Sequence, residues 1–377
     1  MDKGLKVYAI ETFVVTIAHN AKFRNWGISD APTASRDELY VVVKITSDDG
    51  VAGYGEAGRY YEGETPATIV RAIREYLAPA LTGMDASNIG AARRTMARAL
   101  TGQPFAKSCV EMALFDLAGR SLGVPVWKLL GGSYRNKIAI CPSVGINERP
   151  EEVCERVMEY HAAGYRDIKF KIGKDFARDR RSLELIRERV PSDMKIRVDP
   201  NRAYRPENAL KILAELEQFD LLFIEQPVDP GDTLTLRQLT RVLHAPVFAD
   251  EGTRTGEDVI RLATQEAARG IMVKPARIGG LQEARELATV ADATHLPVCV
   301  GSLREAGIAT AALLHLAASL PRLNLACNLG GPALFLDGDV IAQMLTPDGG
   351  MMPVPSGPGL GVEVDEDKLV FHAVRAE

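Results

Sequence analysis

The chain has 377 residues, 46% of them apolar, with 45 Lys+Arg against 50 Asp+Glu and a net charge of −5. These proportions provide for a large core and exclude collagen-like, low-complexity and disordered chains. The slight acidity gives no electrostatic reason for nucleic acid or an anionic membrane surface as a partner, and no apolar run approaches the roughly 18 residues of a spanning helix.

In chain order, Leu5 to about Gly58 reads as strands. Val7, Ile10 and Phe13-Val14-Val15 run out, and Leu39-Tyr40-Val41-Val42-Val43-Lys44-Ile45 runs back. Asp48-Asp49-Gly50 then signals a hairpin into Val51–Gly55, because glycine takes the positive φ that such a turn needs. From Thr65 to Leu122 the apolar period is helical: Ile69, Ile73 and Leu77, then Cys109, Met112, Ala113, Leu117 and Ala118. Residues 1–130 are therefore expected to form an α+β domain.

From Lys137 short apolar strands alternate with helical stretches. The strands are Ile138–Cys141, Asp167–Ile172, Lys195–Asp199, Leu221–Glu225, Pro246–Asp250, Gly270–Lys274, Pro297–Gly301 and Leu323–Leu329. This rhythm predicts parallel βαβ units closing into a barrel over 131–329, with the last helix uncertain. An open doubly wound sheet would often show a glycine-rich phosphate loop after its first strand, and none is present. His244 and His295 stand at the wrong strand ends for chemistry and read as surface loop residues. Residues 330–377, with Asp337-Gly338-Asp339 and a Pro/Gly-rich stretch, are expected to return to the first domain. Cys109, Cys141, Cys154, Cys299 and Cys327 are odd in number and lack a CxxC pair. With no signal-peptide core near Met1, they read as reduced core thiols of a cytoplasmic protein.

The most informative feature is the residue that ends each strand: Lys169 and Lys171, then Asp199, Glu225, Asp250 and Lys274, spaced 24 to 28 residues apart from Lys171 onward. One charge per βα unit places them together at the C-terminal mouth, where barrel enzymes carry their sites. Apolar residues would cost less there, so structure alone does not call for this pattern. Asp199, Glu225 and Asp250 come from successive strands. Three carboxylates without His or Cys suit a hard ion, Mg2+ first and Mn2+ second. Glu251 is the alternative to Asp250, since alternation along a strand should turn only one of them inward.

Lys169 and Lys171 share a strand face about 7 Å apart, where their charges repel by ~2.4 kcal/mol at an effective dielectric near 20. That lowers one lysine toward use as a base. Lys274 arrives from across the barrel. A small carboxylate substrate would then lie between Lys171 and Lys274, positioned for loss or gain of an α-proton, with Lys169 helping to hold the enediolate charge.

Lys169-Phe170-Lys171, Val198-Asp199-Pro200-Asn201, Ile224-Glu225-Gln226-Pro227, Ala249-Asp250-Glu251 and Val273-Lys274 followed by Arg277-Ile278-Gly279-Gly280-Leu281 together resemble the enolase superfamily. Within it they resemble the muconate lactonizing enzyme subgroup of the mandelate racemase/muconate lactonizing enzyme family. Gly83–Ile89, Phe105-Ala106-Lys107-Ser108, Gly301–Glu305 and Leu329–Pro332 extend the likeness to the muconate cycloisomerases. The resemblance implies an α+β capping domain on a modified (β/α)7β barrel, the cap completed by the C-terminal tail, and a homo-oligomer between dimer and octamer. It makes Lys171 the acid/base, Lys274 the opposed electrostatic partner, and Asn201 and Glu305 substrate-binding residues. Specificity is implied to lie in two cap loops. There Lys22 or Arg24 could bind a distal carboxylate, and Trp26, Tyr60 and Tyr61 could form a lid. Arg304 adds unusual positive charge near the mouth. The reaction expected first is cycloisomerisation of a muconate-like diacid. Racemisation or epimerisation of an acyl-amino acid, dipeptide or proline-type substrate is the alternative, and acid dehydration the third. A Schiff-base aldolase using Lys274 would leave the carboxylates without a purpose, and a non-catalytic relative would be expected to have lost one of these groups.

Overall fold

The computed structural model describes residues 5–20, 37–58, 63–146 and 149–374. Three antiparallel strands open it: β1 (Val7–Ala18), β2 (Asp37–Ser47) and β3 (Ala52–Ala57). The hairpin turns at Asp48-Asp49-Gly50, with Gly50 at φ +85° and Thr46 opposite Ala52. Helix Pro104–Leu122 lies directly against β3 because Gly53 and Gly55 carry no side chain. A Cβ on Gly55 would stand 1.9 Å from the Cys109 carbonyl oxygen, and one on Gly53 2.4 Å from that of Ala113. The helix is consequently buried along most of its length.

The chain then forms β4 (Lys137–Ala139) and β5 (Ser143–Val144). Six further parallel strands follow: β6 (Asp167–Lys171), β7 (Lys195–Asp199), β8 (Leu221–Glu225), β9 (Val247–Ala249), β10 (Gly270–Val273) and β11 (Val298–Val300). They pair in strict chain order from β5 to β11. Helices Pro150–Ala162, Phe176–Arg189, Pro206–Leu216, Thr233–Val242, Gly256–Thr264 and Leu281–Ala293 connect them.

The two terminal strands of the predicted barrel differ from expectation. The segment Ile138–Cys141 is split: β4 pairs antiparallel with β12 (Met351–Pro353), and the barrel sheet begins only after Pro142, at Ser143. Leu323–Leu329 is not a strand of regular length. Cys327 bridges Ile140 and Asn328 bridges Gly301, so two residues join the first strand to the seventh and close the ring. A short helix, Pro332–Phe335, follows, which accounts for the weak signal of an eighth helix. β13 (Ala373–Val374) pairs with Val15 and Val14 of β1, so the tail does return to the first sheet.

Inside the barrel, the layer beneath the strand ends is apolar. Phe223 and Phe248 stack at 4.1 Å beside Met272 and Cys299, and Gly270 leaves room for the Phe248 ring. One buried ion pair, Arg197 with Asp167, shares this interior. Two carboxylates of the cap hold barrel helices by their amino ends. Glu56 accepts from the Ala306 and Ala309 N–H groups at 2.6 and 3.0 Å, and Glu111 from Leu281 and Gln282. All five cysteines are buried and unbridged, and His244 and His295 are exposed. Among the described residues, no helix is long and apolar enough to cross a membrane.

Candidate active site

Successive parallel strands in register bring their final residues to one level. Lys171 lies opposite Asp199, and Lys169 opposite Arg197. The mouth is therefore an arc. Lysines of β6 stand at one side, the carboxylates of Asp199 and Glu225 end the next two strands, Asp250 comes directly after β9, and Lys274 directly after β10. Phe170 points the other way, toward the helices, where the Arg178 guanidinium lies 4.8 Å from its ring centre.

All six groups are buried and tied to one another. Lys169 Nζ lies 2.9 Å from Glu225 Oε1 and 3.2 Å from Asp199 Oδ2. Lys171 Nζ donates to Asp199 Oδ2 at 2.5 Å and to Asn201 Oδ1 at 2.7 Å. Lys274 Nζ donates to Asp250 Oδ2 at 2.6 Å, while Arg277 holds Asp250 Oδ1 at 2.7 Å. Gln226 fixes the same turn, its Oε1 accepting from the Asp250 and Gly252 N–H groups.

Burial lowers Lys171 below its ordinary pKa; Asp199 opposes this, and the charge of Lys169 adds to it. The direction matches expectation, but the leading cause is desolvation, not lysine–lysine repulsion. For Lys169 burial is outweighed by Glu225, Asp199 and Asp250, so its pKa is raised. Asp199 is held at about 2, its two lysines outweighing burial. Glu225 is pushed up to about 7 by burial and by Asp199.

Among the described residues, no three His, Cys, Asp or Glu side chains are gathered as a ready-made metal cage. Lysine ammonium groups instead engage inward oxygens of all three carboxylates. The donor set nevertheless fits a hard cation. It is all oxygen and comes from three adjacent strand ends, and Glu225 Oε2 is a buried carboxylate oxygen without a hydrogen-bond partner. The expectation that only one of Asp250 and Glu251 turns inward fails. β9 ends at Ala249, so alternation no longer applies, and both line the pocket. Glu251 faces Arg202 at 3.4 Å.

Residues 10–131 match the mandelate racemase / muconate lactonizing enzyme N-terminal domain, and residues 152–368 the enolase C-terminal domain-like family. The chain belongs to the mandelate racemase/muconate lactonizing enzyme family. It is 30% identical over 370 residues to the N-succinyl-L-Arg/Lys racemase of Bacillus cereus, covering 97% of each chain. It is 31% identical over 373 residues to muconate cycloisomerase 1 of Rhodococcus opacus, covering 97% of this chain and 98% of the relative. The structure of muconate lactonizing enzyme from Pseudomonas fluorescens complexed with muconolactone superimposes with a TM-score of 0.93 at 30% identity, covering 98% of this chain and all of that one. The protein is thus an enolase-superfamily enzyme of the isomerase and cycloisomerase type, a capping domain on a modified barrel.

In this family member the remaining expected site residues fall unevenly. Asn201 lines the pocket, but its side-chain oxygen is engaged by Lys171, so it positions that lysine. Glu305 is buried outside the pocket lining, where its Oε2 accepts the Leu303 N–H at 2.8 Å. Lys22, Arg24, Trp26, Tyr60 and Tyr61 lie outside the described residues. Sequence reasoning missed Arg277, Gln226 and the pocket-lining Arg202. Each stands within a motif quoted for the resemblance or one residue beyond it, yet none falls on a strand whose period would have singled it out.

Proposed function

We propose that this enzyme moves a proton to or from the carbon α to a carboxylate by way of an enediolate, with Mg2+ as cofactor. Its first activity would be muconate-type cycloisomerisation. The observation that carries the reading is the flanking of three carboxylates on consecutive strands by Lys171 on one side and Lys274 on the other. Asp199, Glu225 and Asp250 would hold the Mg2+, which supplies Lewis-acid stabilisation of the substrate carboxylate. Mn2+ suits the same oxygen set. Lys171, lowered by burial and aimed by Asn201, exchanges the proton at the α-carbon. Lys169 keeps its charge and, with Lys274, offsets the negative charge that develops on the substrate. These side chains are buried, so their charges act in a medium less screening than solvent.

A second reading, racemisation or epimerisation of an acyl-amino acid or dipeptide, is favoured by one feature. Lys171 and Lys274 are each held by a carboxylate on opposite sides of the arc, which suits proton transfer at either face of one carbon. The deciding experiment is proton NMR of the enzyme with Mg2+ in D2O. Muconolactone carrying one deuterium from cis,cis-muconate supports the first reading. α-Proton washout from an N-acyl amino acid without lactone supports the second. Absence of both across a broad carboxylate panel overturns proton transfer itself. We further expect the homo-oligomeric assembly that the family resemblance implies.

A further inference from the structure

At the end of the barrel opposite the mouth, beneath the layer of rings, lies an open cavity of about 500 Å3. That is within the roughly 300–1,000 Å3 usual for small-molecule sites. Its walls are largely apolar, formed by Leu222, Phe223, Leu243, Phe248 and Leu325. Phe223 and Phe248 stand two residues before Glu225 and Asp250 in the chain, so the ring layer separates this cavity from the candidate metal ligands.

The rim is basic. Arg241, His244 and Arg269 are exposed lining residues, and no described Asp or Glu lines the cavity. The acids close by are engaged elsewhere: Glu266 pairs with Arg241 at 2.5 Å, and Glu217 accepts the Ala245 N–H at 2.6 Å. The Arg269 N–H donates to the Val247 carbonyl at 2.7 Å, which fixes its backbone, while its guanidinium forms no salt bridge among the described residues. Thr240 supplies a second, independent observation. It lines the cavity and is only 4% exposed, yet its Oγ1 has no hydrogen-bond partner. A threonine inside a helix can turn its hydroxyl to the carbonyl one turn back, and a buried hydroxyl left unpaired is unusual. The Arg241–Glu266 pair ties the end of helix Thr233–Val242 to the segment that carries Arg269, three residues on. Hydroxyl and guanidinium therefore belong to the same side of the cavity.

We propose that this cavity is a second binding site, for a carboxylate with an apolar body, at the end of the barrel remote from the lysines. The body packs against Leu222, Leu243, Leu325 and the lower side of the Phe223–Phe248 stack, where its burial supplies the hydrophobic part of the affinity. The carboxylate pairs with Arg269 and accepts the Thr240 hydroxyl, which gives that orphaned group its partner. A cation is disfavoured by the basic rim, and a neutral polar head forgoes the charge-assisted bond.

The test is titration calorimetry of the full chain with octanoate and hydrocinnamate, each compared with its own amide. At least one acid is expected to bind about 10-fold or more tightly than its amide, the worth of a charge-assisted hydrogen bond. Arg269→Gln, at an exposed position that leaves folding intact, should bring acid and amide within about threefold of each other. Thr240→Val keeps the side-chain shape and should weaken the acid by about 2–10-fold, the worth of a neutral hydrogen bond. Its Tm should stay level or rise, because a buried unpaired hydroxyl is removed. Equal affinity of acid and amide, or no binding of either acid at millimolar concentration, overturns the proposal. Binding of the acids that is unchanged in both variants assigns them to another place on the molecule and overturns it as well. Because affinity is the readout, the result does not depend on which reaction the mouth carries out.

Discussion

Lys171 and Asp199 end neighbouring strands in register, and their ammonium and carboxylate groups meet at 2.5 Å. Lys274 and Asp250 repeat the relationship at 2.6 Å on the far side of the arc. Each candidate base is therefore held by a carboxylate that is itself a candidate metal ligand.

Replacing these lysines separates the two reactions. Lys171→Ala should lower turnover by about 10³-fold or more, within the range expected for a lost general acid or base. In a racemase, Lys171→Ala and Lys274→Ala should each abolish exchange from one enantiomer while the other still exchanges. In a cycloisomerase, no such enantiomer-selective exchange will be seen with either variant. Chiral substrates in D2O, read by NMR, distinguish these outcomes.

Chelation should remove activity, and Mg2+ should restore it. Saturating Mg2+ should raise Tm by a few degrees through mass action on the folded state. Glu225→Gln should abolish that shift. Persistence of the full shift in this variant would remove Glu225 from the ligand set.

Gly301 touches the same machinery from the seventh strand. A Cβ there would stand 3.0 Å from Lys274 Cε, a contact the flexible lysine stem can relieve by moving. Gly301→Ala should therefore leave Tm within a few degrees of wild type while reducing kcat by about 10–100-fold through a displaced ammonium group. A normal kcat would show that the placement of Lys274 is unimportant.

The cap–barrel contact should make stability depend on pH. Burial pushes Glu56 up to about 8 from its ordinary 4.5. The folded state thus binds more protons than the unfolded state between those values, and stability falls as pH rises through that window. Glu56→Gln should flatten the decline by up to ~1.4 kcal/mol per pH unit, the equivalent of one proton. Denaturant unfolding at pH 5, 6.5 and 8 measures it. An unchanged slope would mean that Glu56 does not titrate there.

Much of the site was legible because strand-terminal charge conflicts with burial: Lys169, Lys171, Asp199, Glu225, Asp250 and Lys274 stand out against apolar runs. The Asp48-Asp49-Gly50 turn was legible for an equally local reason. Arg277 was not, because its role depends on a turn that carries it back onto Asp250, and periodicity says nothing about turns. Arg197 and Asp167 were hidden for the opposite reason: they lie on strands already identified, and only the closed barrel makes partners of them. The eighth strand was overestimated, since Leu323–Leu329 has strand-like composition but only Cys327 and Asn328 bridge.

The pairing of β13 with β1 also orders events during synthesis. Val374 is made 360 residues after its partner Val14, a delay of roughly 20–70 s at ordinary rates of translation. Throughout that interval the first sheet waits with one edge open, while the whole barrel is translated. Of the two domains, the one translated earlier is therefore completed later.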